Sequence, residues 1–318
     1  MISLNKKRIL VTGGTGFIGS YLCRRLVRDG AYIYIIAREG DNDYLIRDIG
    51  HIIKVFFIDI RDYDRLLDVI TQIQPKIIYH LSAMVNVETD LDLINPLLEV
   101  NLNGTLNLIK GCIKAGGVEK FVYVSTSDVY GYRVDALTED SMQSPISLYG
   151  ASKSCAEMFC LTLSKLYNIP LVILRPFIVY GGGQSPTMFI PQLIQSALKG
   201  KDFLMTEGRQ KRDFLYIDDF VDACINAVIY EKAEGEIINI ASGTEISLAE
   251  VAEKVMSMLG NPTKIRFGAI PYRDNERWVV RADIKKARML LDWQPRIDFH
   301  EGIRRTINWY IVHREWLQ

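Results

Sequence analysis

The sequence predicts an α/β protein built on one doubly wound parallel sheet, with a smaller lobe interleaved towards the C-terminus. From residue 7 onwards, short β-rich runs alternate with longer segments of helical period. The strand-like runs are apolar throughout, as in parallel sheets that are covered on both faces. The chain has 318 residues, which is enough for one α/β domain with an attached lobe.

The first strand is expected at 8–12, followed by a helix at 16–29 and a strand at 31–37, which together make a βαβ unit. The same alternation continues along the chain. Further strands are predicted at 52–58, 76–81, 120–125 and 171–176, and further helices near 62–73 and 91–114. A Rossmann-type sheet is the simplest arrangement that accommodates this order.

The alternation loosens after residue 177, where a triple glycine and a polar stretch interrupt it. We expect residues 1–177 to form the Rossmann domain, with its sheet completed by a helix and a strand within about 214–245. Residues 178–213 and 246–318 are assigned to the lobe, the second segment as helices and loops. Because no low-complexity linker separates the segments, the two parts are expected to pack together.

Composition and charge exclude several classes of protein. Apolar residues make up 48% of the chain and charged residues 24%, which argues against disordered and fibrous classes. The 38 basic side chains balance 38 acidic ones, so neither nucleic acid nor an anionic membrane is an expected partner. The five cysteines contain no CxxC pair and the four histidines have no ligand spacing, so we expect reduced thiols and no metal site. No apolar run approaches the roughly 18 residues of a spanning helix, and no signal sequence is recognisable, which predicts a cytoplasmic protein.

A glycine-rich turn lies between the first strand and the first helix. Gly13, Gly16 and Gly19 satisfy the spacing GxxGxxG. Glycine permits a tight turn there and lets the backbone approach a pyrophosphate, while the helix that opens at Phe17 and Ile18 supplies N–H donors. We therefore interpret the segment as a dinucleotide-binding site rather than as a tight turn alone.

The residues after the second and third strands bear on the choice of cofactor. Arg38 ends the second strand, where NAD-preferring sites usually place an acid. An arginine can pair with a 2′-phosphate, which favours NADP; in the alternative, Arg38 is solvated and Glu39 binds the ribose. Asp59, followed by Ile60, is placed to meet the adenine edge, or else caps the next helix.

A threonine, a tyrosine and a lysine lie where open α/β folds bind their ligands. Tyr149 and Lys153 form a YxxxK pair on one helix face, and Thr126 follows a predicted strand. A free tyrosine titrates near ~10, so a phenolate at neutral pH needs roughly 4 kcal/mol of stabilisation, which Lys153 and an oxidised nicotinamide would supply. Tyr149 would exchange a proton with a carbinol while hydride moves, and Thr126 would hydrogen-bond the same oxygen. An isolated YxxxK match is more often structural, but the three elements in this order favour catalysis.

These motifs resemble the extended short-chain dehydrogenases/reductases, specifically the nucleotide-sugar epimerase/dehydratase branch, over nearly the whole chain. The matching segments, besides the glycine motif and YxxxK, are HLSA at 80–83, VNLNGT at 100–105, STSDVYG at 125–131, RPF at 175–177 with YG at 180–181, and RDFLYIDD at 212–219. The resemblance implies that Thr126, Tyr149 and Lys153 are catalytic. The cofactor contacts are then Leu81, Ser82, Asn101, Tyr149 and Lys153, and the substrate contacts are Ser127, Arg212 and Arg273, the two arginines on the phosphates of a nucleoside-diphosphate sugar.

The chain departs from the family pattern at two places that matter for substrate chemistry. Family members often have asparagine after RPF, whereas this chain has Ile178, so that substrate contact is missing or replaced. Related 4,6-dehydratases carry an acid at one or both of the positions of Ser127 and Asp128. Here Asp128 is one methylene shorter than the usual glutamate, and it is either a general base for elimination or a polar residue at the cleft edge.

The function predicted from these residues is hydride transfer at carbon 4 of a nucleoside-diphosphate hexose, by a 4-epimerase or a 4-ketoreductase. A 4,6-dehydratase is the alternative, and a non-catalytic dinucleotide sensor is a remote one. The helix that begins at Tyr149 carries apolar residues around much of its circumference. Together with the family resemblance, this predicts a homodimer joined by that helix and the helix near 91–114.

Overall fold

The structure of the chain, a computed structural model, describes residues 2–132, 135–273 and 276–317. Its strands are β1 (Arg8–Thr12), β2 (Tyr32–Ala37), β3 (Lys54–Phe57), β4 (Ile77–His80), β5 (Lys120–Val124), β6 (Leu171–Pro176), β7 (Ile178–Tyr180), β8 (Phe203–Leu204), β9 (Lys211–Arg212), β10 (Phe214–Tyr216), β11 (Ile237–Ile240), β12 (Ile246–Ser247), β13 (Ile265–Arg266) and β14 (Val279–Val280). Its α-helices are α1 (Phe17–Arg28), α2 (Tyr63–Ile73), α3 (Ile94–Leu97), α4 (Gly104–Ala115), α5 (Leu148–Tyr167), α6 (Phe189–Leu198), α7 (Ile217–Ile229), α8 (Leu248–Met258), α9 (Lys285–Leu291) and α10 (Phe299–Val312).

Seven strands form the central sheet in the order β11-β6-β5-β4-β1-β2-β3, and every neighbouring pair is parallel. The predicted doubly wound fold is confirmed. The strand order reverses beside β1, where Thr12 pairs with Ile36 of β2 and with His80 of β4. Ligands of such folds bind outside the carboxyl ends of the strands at this reversal. A ligand site is therefore expected at the loops after β1 and β4.

Helices cover both faces of the sheet, as the apolar strands require. Along β1, Ile9 and Val11 belong to the core shared with α1 and α7, whereas Leu10 belongs to the core shared with α2, α4 and α5. Alternate residues of one strand therefore fill two separate cores. The sheet is held from both sides, and the loops at its carboxyl edge start from a rigid base.

The single helix predicted near 91–114 is interrupted. A short 3₁₀ turn (Leu91–Leu93) leads into α3, a π-helical segment (Leu98–Asn103) follows, and α4 completes the run. A π-helical turn holds extra backbone and often occurs at functional sites. Here it contains the buried Asn101, whose amide contacts two distant parts of the chain.

Small sheets and helices build the C-terminal lobe. Strand β9 lies between β12 and β14, β8 pairs with β13, and β7 pairs with β10. The prediction of only helices and loops beyond residue 246 was wrong, because strands of two residues are too short to leave a period in the sequence. Strand β11 completes the main sheet beside β6. The division of the chain at residues 177, 213 and 246 stays a prediction. Within the described ranges, none of the helices has the length and apolar character needed to cross a membrane.

Candidate active site

The glycine-rich turn after β1 is tight because of what surrounds each glycine. Gly13 has a φ of +71°, a conformation that side chains disfavour, and a Cβ there would lie 2.9 Å from the backbone nitrogen of Ser82. A Cβ on Gly19 would overlap the carbonyl oxygen of Gly13 and lie 2.6 Å from the Cα of Gly14. At Gly16, by contrast, a Cβ would lie 3.4 Å from the carbonyl oxygen of Gly13. Gly13 and Gly19 thus shape the turn itself, whereas Gly16 leaves open space beside the helix end.

Helix α1 begins with unused N–H groups at this turn. Gly16 is its N-cap, and the described first turn has neither a capping side chain nor an acidic residue. The first N–H groups of a helix need acceptors, and the positive end of the helix dipole favours an anion. The turn therefore fits the pyrophosphate of a dinucleotide.

A cleft of about 630 Å³ opens from the turn along the carboxyl edge of the sheet. Trp316, from the far end of the chain, and the loop residues Asp41 and Asn42 also line it, and none of these three was predicted. No local motif marks them, because they meet the cleft only through the fold. The predicted cofactor residues that line the cleft are Gly13, Gly16, Phe17, Arg38, Asp59, Ile60, Leu81 and Ser82.

Five predicted cofactor residues lie outside the cleft lining: Ile18, Gly19 and Asn101, and also Tyr149 and Lys153, which are described below. Gly19 and Ile18 belong to the first turn of α1, where Gly19 is buried against the glycine turn. Asn101 is fully buried, accepts a hydrogen bond from the backbone N–H of Met84 (2.8 Å) and donates one to Ser152 Oγ (2.9 Å). Asn101 therefore positions the cleft loop and helix α5 relative to each other, and its amide is already engaged.

A buried histidine fixes the wall of the cleft at the end of β4. His80 contacts the hydroxyl oxygens of Thr12 (2.7 Å) and Thr105 (2.8 Å) through its two ring nitrogens, and the backbone N–H of Ser82 donates to Thr12. Burial, with a further contribution from the charge of Lys153, lowers the pKa of His80 to about 3. The imidazole is neutral at physiological pH and ties β1, β4 and α4 together.

The side chains that follow β2 and β3 at the cleft form two ion pairs. Arg38 is 69% exposed, and its guanidinium lies 3.1 Å from Asp41, which also accepts a hydrogen bond from the Arg38 backbone. Asp59 pairs with Arg61 at 2.6 Å, and hydrogen bonds from Arg61 lower the pKa of Asp59. Arg38 thus stands at the rim, and Asp59 is available as an ionised acceptor.

Helix α5 carries two of the three predicted catalytic groups. Lys153 is 1% exposed, donates to the carbonyl oxygen of Val124 at 2.8 Å, and lies 4.2 Å from the ring centroid of Tyr123. Tyr149, one turn earlier, is 7% exposed and has Thr126 as a hydrogen-bond partner. The fold therefore gathers the predicted trio at the carboxyl end of β5.

The two ionisable groups of this trio have opposite pKa shifts. Burial lowers the pKa of Lys153 to about 8, because it penalises the ammonium form. Burial, and then the negative charge of Asp128, raise the pKa of Tyr149 above its ordinary value, while the hydrogen bond with Thr126 lowers it. Without a ligand the phenol is neutral, and its deprotonation depends on positive charge brought close to it.

A second cavity, of about 220 Å³, adjoins the trio and is lined by charged side chains. Arg212 pairs with Glu276, and Arg277 Nη2 lies 2.5 Å from Asp128 Oδ1. Arg273 lines the same cavity. The predicted residues Asp128, Arg212 and Arg273 are therefore brought together here. Glu276 and Arg277 were not predicted, because their partners Arg212 and Asp128 lie 64 and 149 positions away, and such ion pairs leave no local signal.

Ser127 does not line this cavity. It is 6% exposed and opens the 3₁₀ turn Ser127–Tyr130 directly after β5. Ile178 begins β7 and pairs with Phe214 of β10. Neither residue supplies a polar group to the described cavity wall.

The chain is similar to known proteins over nearly its full length. The model of the NAD dependent epimerase/dehydratase family matches residues 9–241. A UDP-N-acetyl-alpha-D-glucosaminuronate decarboxylase from Bacillus cytotoxicus is 32% identical over 332 residues, covering 96% of this chain and 98% of that protein. The structure of UDP-glucuronic acid 4-epimerase from Bacillus cereus, in complex with UDP-glucuronic acid and NAD, is 31% identical with a TM-score of 0.86, covering 96% of this chain and 99% of that one. The structure of dTDP-glucose 4,6-dehydratase from Bacillus anthracis, in complex with NAD, is 27% identical with a TM-score of 0.86, covering 98% of each chain.

The similarities agree with the geometry described above. The glycine turn and the cleft fit a nicotinamide dinucleotide, and the lining of the charged cavity includes Ser147, the N-cap of the helix that carries the YxxxK pair. The family model covers most of the chain, including the turn, the trio and the main sheet. The chain is therefore a member of the NAD-dependent epimerase/dehydratase family, the extended short-chain dehydrogenase/reductase enzymes that modify nucleotide sugars.

Proposed function

We propose that the protein catalyses redox chemistry at carbon 4 of a nucleoside-diphosphate hexose, as a 4-epimerase or a 4-ketoreductase. The observation that carries the proposal is the buried trio of Thr126, Tyr149 and Lys153, beside a cavity lined by arginines. Asp128 lines this cavity and, besides burial, its negative charge raises the pKa of Tyr149. We infer that the sugar of a bound nucleotide sugar would lie beside the phenol.

The bound cofactor supplies a hydride acceptor or donor for carbon 4. In the oxidative direction, the hydroxyl on carbon 4 gives up its proton to the Tyr149 phenolate as the carbonyl forms, and Thr126 hydrogen-bonds the same oxygen. The Lys153 ammonium, whose pKa is lowered to about 8, stays largely protonated near neutral pH and stabilises the phenolate. In the reductive direction, Tyr149 returns the proton.

Arg212 and Arg273 are the proposed ligands of the substrate diphosphate. Arg212 Nη2 contacts Glu276, and its Nη1 donates to the carbonyl oxygen of Arg277 at 2.5 Å. A diphosphate would take the place of the Glu276 carboxylate on the planar fork of Arg212. The acid thus keeps the guanidinium oriented until the substrate arrives.

A 4,6-dehydratase is the second candidate, and the position of Asp128 favours it. This carboxylate lines the substrate cavity and acts electrostatically on Tyr149. A base there could remove the proton at carbon 5 after oxidation at carbon 4. The same carboxylate is engaged in an ion pair with Arg277, and the neighbouring Ser127 contributes no second acid. We therefore favour epimerisation or reduction over dehydration.

The proposal is tested by identifying any cofactor that copurifies and then following a panel of nucleotide sugars by NMR. UDP-hexoses, dTDP-glucose and UDP-glucuronate belong in the panel, the last because relatives are named for uronate substrates. Interconversion of sugars without net cofactor consumption indicates an epimerase, and stoichiometric loss of the reduced cofactor indicates a reductase. A 6-deoxy-4-keto product would show that the protein is a 4,6-dehydratase. Absence of turnover across the panel would contradict the proposal.

We propose that NADP is preferred over NAD because Arg38 stands at the adenosine rim of the cleft. Replacing Arg38 by alanine is expected to weaken NADP binding about 10-fold or more, since charge-assisted hydrogen bonds contribute roughly 1.5–3 kcal/mol. NAD binding is expected to change little. Fluorescence titration with both cofactors measures this. Arg47, which is equally exposed and paired with Asp43, gives the matched control Arg47→Ala. Equal losses for NAD and NADP would refute the preference.

A homodimer is proposed on the exposed apolar side chains of α5. Met158 is 57% exposed, Phe159 47% and Leu166 67%, which is unusual for large apolar residues on one helix. Sedimentation at micromolar concentration is expected to give a dimer, and Met158→Glu combined with Leu166→Glu is expected to give a monomer. Met289→Glu, at a residue that is 71% exposed on α9, serves as the control and leaves the dimer intact. A monomeric wild-type protein would overturn the proposal.

A further inference from the structure

Arg277 has one terminal nitrogen in use and one without a partner. Its Nη2 pairs with Asp128, while Nη1 is buried and has no hydrogen-bond partner among the described residues. Burying a donor without a hydrogen-bond partner is unfavourable, and more so for a charged group, so native proteins rarely retain one without a reason. The side chain as a whole is 19% exposed and lines the substrate cavity.

The backbone of Arg277 is held in place by a second arginine. Arg212 donates to the Arg277 carbonyl oxygen and pairs with the neighbouring Glu276. The guanidinium of Arg277 is in turn anchored by Asp128, which belongs to the turn after β5. The unpaired nitrogen therefore belongs to a side chain that is fixed from two sides, and ordering it on a ligand would cost little further entropy.

The net charge of the cavity wall is positive and favours an anionic ligand. Its described lining contains three guanidinium groups, on Arg212, Arg273 and Arg277, and two carboxylates, on Asp128 and Glu276. Arg212 and Arg273 suffice for a diphosphate. Arg277 is the arginine that contacts Asp128, and Asp128 is the carboxylate that acts on Tyr149, so Arg277 belongs to the sugar end of the cavity.

We propose that Arg277 is a sugar-binding residue: Nη2 holds Asp128 beside Tyr149, and Nη1 donates a hydrogen bond to an oxygen of the hexose. The assignment rests on the proposed function. A planar guanidinium can serve two acceptors at once in a fixed geometry, which an ammonium cannot do. A hydroxyl or a carboxylate oxygen would satisfy Nη1, and the sugar would be oriented relative to Asp128 and Tyr149 by one rigid group.

The test compares Arg277→Met with Arg277→Lys in two measurements. The first is kcat and KM with the nucleotide sugar that the panel identifies, and the second is calorimetric affinity for UDP and dTDP, which have the diphosphate but no sugar. We expect Arg277→Met to lower kcat/KM about 10- to 100-fold, the factor that a charge-assisted hydrogen bond of roughly 1.5–3 kcal/mol gives. Affinity for the nucleoside diphosphates is expected to change by less than about 2-fold. Arg277→Lys, which keeps the charge and loses the fork, is expected to recover only part of the loss.

The matched control is Arg281→Met, at an arginine that is 45% exposed and lies 3.8 Å from Glu245. It is expected to leave both measurements unchanged. A parallel loss of nucleoside-diphosphate affinity in Arg277→Met would make Arg277 a phosphate ligand and overturn the assignment, as would full activity of that variant or full rescue by lysine. Hexose and hexuronate substrates, assayed side by side, show whether a hydroxyl or a carboxylate is the acceptor. If the wild-type protein binds nucleoside diphosphates and no nucleotide sugar, the proposed function fails, and the assignment fails with it.

Discussion

Replacement of Tyr149 by phenylalanine is expected to lower kcat by about 10²- to 10⁴-fold, the usual contribution of a positioned proton donor or acceptor. The hydroxyl that this substitution removes is the proposed proton-exchanging group, and because Tyr149 is only 7% exposed, water can replace it only poorly. The phenyl ring fills the same space, so the fold and the cofactor cleft are retained. Steady-state kinetics, with cofactor titration on the same sample, measures both effects.

The control for this substitution is Tyr167→Phe, at a tyrosine on the same helix that is 55% exposed. It removes the same atom far from the carboxyl end of β5 and is expected to leave turnover unchanged. If Tyr149→Phe retained more than about a tenth of the wild-type kcat, another group would have to carry the proton, and the proposed mechanism would be wrong.

Replacement of Gly19 by alanine is expected to destabilise the protein and abolish cofactor binding together. The new Cβ would overlap the Gly13 carbonyl oxygen and approach the Gly14 Cα to 2.6 Å, and backbone atoms cannot rotate away as a flexible side chain can. Overpacking of this kind costs roughly 1–3 kcal/mol or more. Thermal unfolding and cofactor titration are the measurements.

Gly16→Ala separates the two effects. Its Cβ would lie 3.4 Å from the carbonyl oxygen of Gly13, so the fold tolerates it, but the methyl group would occupy the space beside the free N–H groups of α1. We expect a nearly unchanged Tm and weaker cofactor binding. If Gly19→Ala instead unfolded at the wild-type temperature and bound cofactor normally, the turn could not be as tightly packed as the structure has it.

The fold could be predicted from the sequence because its signals are local. Continuous apolar runs between helical segments are a property of short windows, and they indicated the strands of the main sheet within a few residues. The π-helical segment was not predictable in this way. It contains Asn101, whose amide bonds to Met84 and Ser152, 17 and 51 positions away. Such contacts exist only once the sheet has brought the loops together.

The candidate site likewise contains residues that local motifs predicted and residues that only tertiary contacts bring in. The residues of the glycine turn, and those of the YxxxK pair, lie only a few positions apart in the sequence. The sequence was therefore sufficient to propose both motifs. Asp41 meets the cleft, and Arg277 meets Asp128, only through tertiary structure. Arg277 lies four residues after the expected phosphate ligand Arg273, yet that spacing carries no motif. The role proposed for Arg277 rests on its ion pair with Asp128 and on its unpaired Nη1, both of which depend on the folded structure.

The cofactor cleft is walled by residues from both extremes of the described chain, Gly13 at one end and Trp316 at the other. Trp316 is secured there by a hydrogen bond from its indole nitrogen to the carbonyl oxygen of Gln184 at 3.0 Å. A growing polypeptide consequently lacks a complete cleft until residue 316 has been synthesised and packed. A dinucleotide that recognises only the finished cleft stabilises the native state as a whole, by an amount that grows with its concentration relative to its Kd. We expect the cofactor to stabilise the completed chain more than a chain that ends before Trp316.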